Sequence, residues 1–230
     1  ELAAGVAHEI NNPIYAIINF AQLIADESDK VSRAHTFGKL IMEEGNRIAD
    51  LTKHLVSLSR SPAGPRISVN VYELIFNSLK LIEMQLKKDH ITAKHNIPMD
   101  IPHLIANPQE IHQVFLNLMQ NARYALNEKF PGKDEDKILE ISCNRAIIDE
   151  RQYVRIIFYD RGVGIPEDIL PRVKDLFFTT KPSNRGTGIG LSISENIILK
   201  HGGKISVESI RGEFTKVLID LPATECTGEK

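Results

Sequence analysis

Apolar residues return at alternating intervals of four and three along the first part of the chain: Ala3, Ala7, Ile10, Ile14, Ile17, Ala21 and Ile24. That is an unbroken heptad stripe on one face of a helix. Phe37, Ile41, Glu44, Ile48, Leu51, Leu55 and Leu58 repeat it, with Glu44 the one polar interruption. The polar run DESDKVSR between them predicts a turn, and so an antiparallel helical pair. Two helices cannot bury a stripe this wide between themselves. A second copy would cover it as a four-helix bundle; lying on the following domain is the other solution. Pro13 falls inside the first helix, removes the hydrogen bond to the Glu9 carbonyl and predicts a kink costing on the order of 3 kcal/mol.

The pattern changes after SPAGPR, residues 61–66, whose two prolines and glycine end the helix and read as a hinge. Beyond it, hydrophobic alternation predicts strands near 67–70, 91–97, 138–147, 153–160, 204–209 and 214–221. Helical spacing predicts helices near 71–88, 108–129, 167–175 and 190–201. The expected fold is an all-α helical hairpin, in a dimeric four-helix bundle, followed by an α/β sandwich. In the latter a mixed sheet is covered by helices on one face. The expected boundaries are a hairpin over 1–61, a linker over 62–66, a second domain over 67–223 and a tail over 224–230.

Composition narrows the function classes. A net charge of -2 gives no reason to expect nucleic-acid or membrane-surface binding. No apolar run approaches the roughly 20 residues needed to cross a bilayer. Cys143 and Cys226 stand far apart, without metal or disulfide spacing, as expected in a reducing, cytoplasmic setting. The first residues already read as helix interior, so the expectation is a piece of a longer protein, with any membrane segment upstream.

Candidate chemistry begins at GVAHEINNP. His8 and Asn12 are four apart and share a helix face, Glu9 flanks them, and the trio lies off the apolar stripe. An imidazole beside a carboxylate is a nucleophile whose tautomer and developing charge can be controlled. A plain surface histidine is the alternative. HEINN is not the zinc pattern HExxH, because Asn12 stands at the second ligand position. His35, His54, His90, His95, His103, His112 and His201 show no ligand clustering.

Three further clusters fall in the second domain. Asn117 and Asn121 are one turn apart on IHQVFLNLMQNARYAL, and their amide oxygens suit Mg2+ carrying a polyphosphate. The strand YVRIIFY runs into Asp160-Arg161-Gly162-Val163-Gly164-Ile165. There a carboxylate can accept a hydrogen bond from an adenine amino group while the glycines bend the backbone around the ring; a tight turn is the alternative. Gly186-Thr187-Gly188-Ile189-Gly190-Leu191 opens a helix whose N-terminus favours phosphate, and matches neither the P-loop nor the dinucleotide fingerprint. Between the last two, LFFTTK reads as a lid with aromatic anchors and one cation, Lys181.

These clusters, in this order, resemble those of bacterial two-component sensor histidine kinases over almost the whole chain. The matching segments are AHEINNP, NLMQNA, DRGVGI, FFTTK and GTGIGL, with the phrasing of the nitrogen-regulation type. The resemblance implies a dimerization and phosphotransfer hairpin followed by an ATP-binding domain shared with gyrase, heat-shock chaperones and mismatch-repair ATPases. By that resemblance His8 is phosphorylated, Glu9 orients and deprotonates it, and Asn12 positions water for a phosphatase reaction. Asn121 holds Mg2+ with Asn117 assisting, and Asp160 reads adenine. Gly162, Gly164 and Ile165 shape the base site, and Gly186, Thr187, Gly188, Ile189, Gly190 and Leu191 cover the phosphates. Thr180, Lys181, Arg185 and Arg123 supply further ATP contacts. Thr215 helps hold adenine, although Phe214 replaces the glycine expected before it, and Asp175-Leu176 replaces the usual glutamate-proline ahead of the lid. The implied partners are a second copy and the receiver domain of a response regulator. The alternatives are a related ATP-hydrolysing machine and a non-catalytic or phosphatase-dominant dimeric scaffold for a regulator.

Overall fold

The computed structural model describes residues 2–59, 64–182 and 186–224, and in the helical hairpin the side chains of residues 10–46, 48 and 49. Contacts along the chain divide it into two compact units, 1–63 with 175–189 and 64–174 with 190–230.

In the first unit, α1 (Leu2–Glu27) and α2 (Arg33–Ser59) pair as the expected hairpin. Ser32 starts α2 by accepting the His35 N–H on its hydroxyl, and the His35 ring in turn donates from Nδ1 to the Ala25 carbonyl at 2.7 Å. α1 continues through Pro13 as one element.

The seam between these helices differs from the heptad stripe. Among the described side chains the buried ones are small: Ala21, Ala25, Gly38, Gly45 and Ala49. A Cβ on Gly38 would stand 2.8 Å from the Ala21 carbonyl oxygen, and one on Gly45 would stand 2.5 Å from Ile18 Cγ1. The helices therefore approach closely along alanine and glycine, leaving the branched stripe outside. Ile17, Ile24, Phe37 and Ile41 are 47%, 48%, 51% and 43% exposed.

The second unit runs β1 (Ile67–Val69), α3 (Val71–Lys88), β2 (Thr92–Asn96), β3 (Leu104–Ala106), α4 (Pro108–Lys129), β4 (Ile138–Ile148) and β5 (Arg151–Asp160). A 3-10 turn (Leu170–Arg172), α5 (Gly190–Lys200), β6 (Lys204–Ile210) and β7 (Phe214–Pro222) follow. α3 and α4 begin where asparagine caps them. Asn70 accepts the Tyr72 N–H, and Asn107 accepts those of Gln109 and Glu110, with Pro108 at the first helical position. The main sheet has the order β2-β4-β5-β7-β6, parallel only at β2–β4. Phe158, Ile156 and Val154 of β5 stand opposite Val217, Ile219 and Leu221 of β7 on the buried face. The Phe115 ring of α4 meets Phe158 at 5.4 Å between centroids. The other face carries polar pairs such as Arg155–Asp220, bonded twice at 2.7 and 2.9 Å.

Two elements depart from expectation. β1 pairs antiparallel with β3, a strand of three residues too short to show a period. The helix expected over 167–175 is reduced to the 3-10 turn, because Pro171 offers no backbone N–H in its middle. The expected linker, 62–66, lies partly outside the described residues. Gly64 and Arg66 are fastened to the second unit: Asn107 Nδ2 donates to the Gly64 carbonyl at 3.2 Å and Arg66 donates to the Lys200 carbonyl at 2.6 Å. The stretch 175–189 contains no helix or strand among its described residues. No helix among the described residues is long and apolar enough to cross a membrane.

Candidate functional site

The site is built along α4. Asn117, Asn121 and Ala125 are spaced by four, so they line one face, and the rise of a helix puts about 12 Å between the first and last. At the Ala125 end the chain leaves β5 through Asp160. The Asp160 Oδ1 accepts the Gly162 N–H at 2.9 Å, and the Val163 N–H reaches the Ala125 carbonyl at 3.3 Å. A side chain on Gly162 would come within 2.6 Å of both Ala125 Cβ and Asp160 Oδ1. Gly164 has φ +64, the left-handed region that glycine occupies freely, and a Cβ there would overlap the Ile210 carbonyl. The Gly212 N–H closes the far side by donating to the Val163 carbonyl at 2.7 Å. The turn is thus held between α4 and the β6–β7 hairpin.

Register adds a residue that the motifs do not contain. Asp160 stands opposite Thr215, and Thr215 opposite Ser209, so the three form one polar row across β5, β7 and β6 at the end of the apolar face. Ser209 Oγ donates to the Phe214 carbonyl at 2.6 Å, accepts the Ile165 N–H at 2.8 Å and lies 3.1 Å from Thr215 Oγ1. Phe214, which stands where a glycine was expected, stacks on Tyr159 at 5.5 Å. Successive strand residues point to opposite faces, so its ring leaves the Thr215 side of the sheet undisturbed.

Asp160 is 5% exposed. Burial pushes its carboxyl up to about 7, against the pull of the Gly162 N–H and the Lys129 ammonium. Lys129 itself donates to the Arg161 carbonyl at 2.8 Å and the Glu213 carbonyl at 3.3 Å, tying the C-terminus of α4 to the same turn.

At the other end of the line, Asn117 lies against the start of α5. A Cβ on Gly190 would overlap Asn117 Oδ1, so the glycine is what admits the carboxamide there. Asn117 Nδ2 donates to Ser194 Oγ at 2.9 Å. Asn121 is half-buried between the two ends, Gly190 and Leu191 begin the helix, and Ile165 follows the glycine turn. Two neutral amide oxygens one turn apart, beside a helix N-terminus, suit a hard divalent cation carrying phosphates. Arg123 points elsewhere: its guanidinium donates to Asp89 and to Gln85 Oε1 at the end of α3.

The lid stretch doubles back on itself. Gly186 faces Thr179 and Lys181, where a Cβ would be 2.6 Å from Thr179 Oγ1 and 2.8 Å from Lys181 Cβ. Gly188, at φ +67, lies against the Phe177 backbone; Phe177 has φ 68. Thr180 is exposed, Thr187 half-buried and Ile189 buried. Arg185 lies outside the described residues, and so do the side chains of His8 and Glu9, whose backbones belong to α1. Asn12 is exposed on α1.

Two family models match separate stretches of the chain. Residues 106–225 match the family described as "Histidine kinase-, DNA gyrase B-, and HSP90-like ATPase", and residues 1–64 match "His Kinase A (phospho-acceptor) domain". The chain is 32% identical to sensor histidine kinase ZraS of Salmonella typhimurium over 96% of its own length and 45% of that protein's. It is 32% identical to sporulation kinase E of Bacillus subtilis (100% and 29%), and 30% identical to the sensory histidine kinase/phosphatase NtrB of Rhizobium meliloti (97% and 58%). The chain therefore spans between about a third and somewhat over half of these relatives. Among solved structures, histidine kinase ThkA in complex with response regulator protein TrrA matches at TM-score 0.65 and 28% identity, covering 97% of this chain and 61% of that one. Full-length ShkA in complex with AMPPNP matches at TM-score 0.68 and 20% identity, over 98% and 46%, a likeness of fold.

Proposed function

Because the chain belongs to the histidine kinase-, DNA gyrase B- and HSP90-like ATPases and carries a His Kinase A phospho-acceptor domain, we propose that it is the core of a two-component sensor histidine kinase. In this reading it transfers the γ-phosphoryl group of ATP to His8 and then to an aspartate on a response regulator's receiver domain. The observation that carries the nucleotide half is the line along α4. A buried carboxyl with a glycine turn stands at one end and a carboxamide against a helix N-terminus at the other, about 12 Å apart. That is the order base, then phosphates, in an extended nucleotide.

Asp160 accepts the adenine amino hydrogen, with Thr215 and Ser209 beside it in the same row. Gly162, Gly164 and Ile165 let the backbone fold closely around the ring. Gly186, Thr187, Gly188, Ile189, Gly190 and Leu191, with Thr180, Lys181 and Arg185, are the residues that would contact the phosphates of bound ATP. Arg123 joins them only by leaving Asp89. Asn121 and Asn117 would hold Mg2+, which supplies charge neutralisation on the polyphosphate when bound. The His8 imidazole attacks the γ-phosphorus; a nitrogen–phosphorus bond forms as the bond to the β,γ-bridging oxygen breaks, and ADP leaves. Glu9 takes the proton from the other ring nitrogen. Asn12, exposed one turn on, positions water for removing phosphate from the regulator.

The exposed branched stripe of the hairpin supports a homodimer, since a second copy presents the same stripe and the two together close a four-helix core. Incubation with γ-labelled ATP tests the whole reading. The expected product is one label per chain, lost in acid and kept in alkali, the behaviour of a phosphoramidate. Free labelled phosphate without labelled protein would indicate a simple ATPase.

A further inference from the structure

The Asn117 carboxamide is held in one of its two orientations by a side chain outside every motif. Ser194 lies one helical turn past Gly190 on α5 and is 1% exposed. Its hydroxyl donates to the Gly190 carbonyl at 2.9 Å. A serine hydroxyl has a single hydrogen, so once that is committed Oγ can only accept. The group that faces it must then be the NH2 of Asn117, and Asn117 Nδ2 lies 2.9 Å from Ser194 Oγ.

An amide with its NH2 fixed on one side has its carbonyl oxygen fixed on the other. Asn117 Oδ1 accordingly lies over Gly190, the first residue of α5, where a Cβ would overlap it. An NH2 in that place could not ligate a cation, so the orientation decides whether Asn117 assists or obstructs. We propose that Ser194 is a positioning residue for Mg-nucleotide binding. The chain Asn117 Nδ2–H to Ser194 Oγ–H to the Gly190 carbonyl presents Asn117 Oδ1 toward the cation and phosphates at the start of α5. Ser194 itself touches neither. The inference rests on the reading of Asn117 as a residue that assists the metal. A serine that merely back-bonds within its own helix would affect stability but not metal dependence.

The test is equilibrium binding of a fluorescent ATP analogue to the whole chain, with Mg2+ and with EDTA, for wild type, Ser194→Ala, Asn117→Ala and the double variant. Loss of the oriented amide is expected to weaken Mg-nucleotide binding by about five-fold in Ser194→Ala, leaving binding in EDTA within about two-fold of wild type. In the Asn117→Ala background the serine change is expected to add nothing. Ser194→Cys, which fills the same space with a weak hydrogen-bonding group, is expected to reproduce the loss if the alanine variant folds poorly. Equal weakening with and without Mg2+, independent losses in the double variant, or binding like wild type would each overturn the role of Ser194. Wild-type binding indifferent to Mg2+ would instead overturn the metal reading of Asn117, a failure seen in a different row of the same experiment.

Discussion

The two units spend their apolar residues in opposite ways. In the ATPase-like unit the large side chains are inside: Phe115, Ile75, Leu139 and Ile156 are all 0% exposed. Glycine there admits close neighbours, the Ile210 backbone at Gly164 and the Asn117 carboxamide at Gly190. Among the described side chains of the hairpin the small residues are inside and most large ones outside, with Phe20 65% and Leu23 53% exposed. Among its described side chains the hairpin leaves large apolar residues exposed, whereas the second unit encloses its own core. The division matches the proposed roles: a rigid nucleotide carrier completes its own packing, and a stem that displays a histidine completes its packing by pairing.

The largest effect that separates the units is expected from His8→Gln. Labelling by γ-labelled ATP should fall to background, while nucleotide binding and the melting of the sheet unit stay unchanged; residual label at the wild-type level would point to another acceptor. Next comes the stem. Ile24→Glu with Ile41→Glu places two charges on the exposed stripe, where burying each isoleucine is worth about 1.5–3 kcal/mol. A monomer by light scattering with intact ATP binding is expected, and an unaltered dimer would put the interface elsewhere.

Asp160→Asn addresses the carrier alone. Losing the carboxyl acceptor for adenine is expected to weaken ATP binding by about ten-fold or more. Its effect on stability runs the other way. Burial raises the carboxyl from an ordinary 3.8 to about 7, so the folded state keeps a proton that the unfolded chain releases between those values. The native sequence should therefore lose stability as pH climbs through that window and level off above it, by an amount on the order of 4 kcal/mol. Denaturant melts of the nucleotide-free protein should show that slope in wild type and its absence in Asp160→Asn; parallel curves would remove the buried-carboxyl account. The smallest effect is expected from Asn12→Ala, a several-fold slower dephosphorylation of the regulator with autophosphorylation nearly intact. Equal losses in both would reject a separate water-positioning role.

Much of the carrier was legible in the sequence. α3 and α4 fall at Val71–Lys88 and Pro108–Lys129, where periodicity begins at capping asparagines and ends at polar turns. The asparagine pair, the Asp160 turn and the glycine-rich start of α5 were readable because each is a short local pattern with its own chemistry. Ser209 and Ser194 were not, since each becomes relevant only through a neighbour far away along the chain: Ser209 by strand register with Thr215, and Ser194 by a contact 77 residues back. Arg123 shows the converse, because proximity to a motif could not reveal that its guanidinium is committed to Asp89 on another helix.

By itself, then, the sequence determined where most helices and strands lie and which short motifs are candidates for chemistry, because local spacing and capping control those features. Only the tertiary structure decided which hairpin stripe faces inward. Heptad spacing favours the branched residues, but close helix approach selects Ala21, Ala25, Gly38, Gly45 and Ala49, a matter of steric fit between two surfaces rather than of hydrophobic count. It likewise decided how the Asn117 amide is turned, since a hydrogen-bond network is settled by which donors and acceptors the fold brings within reach.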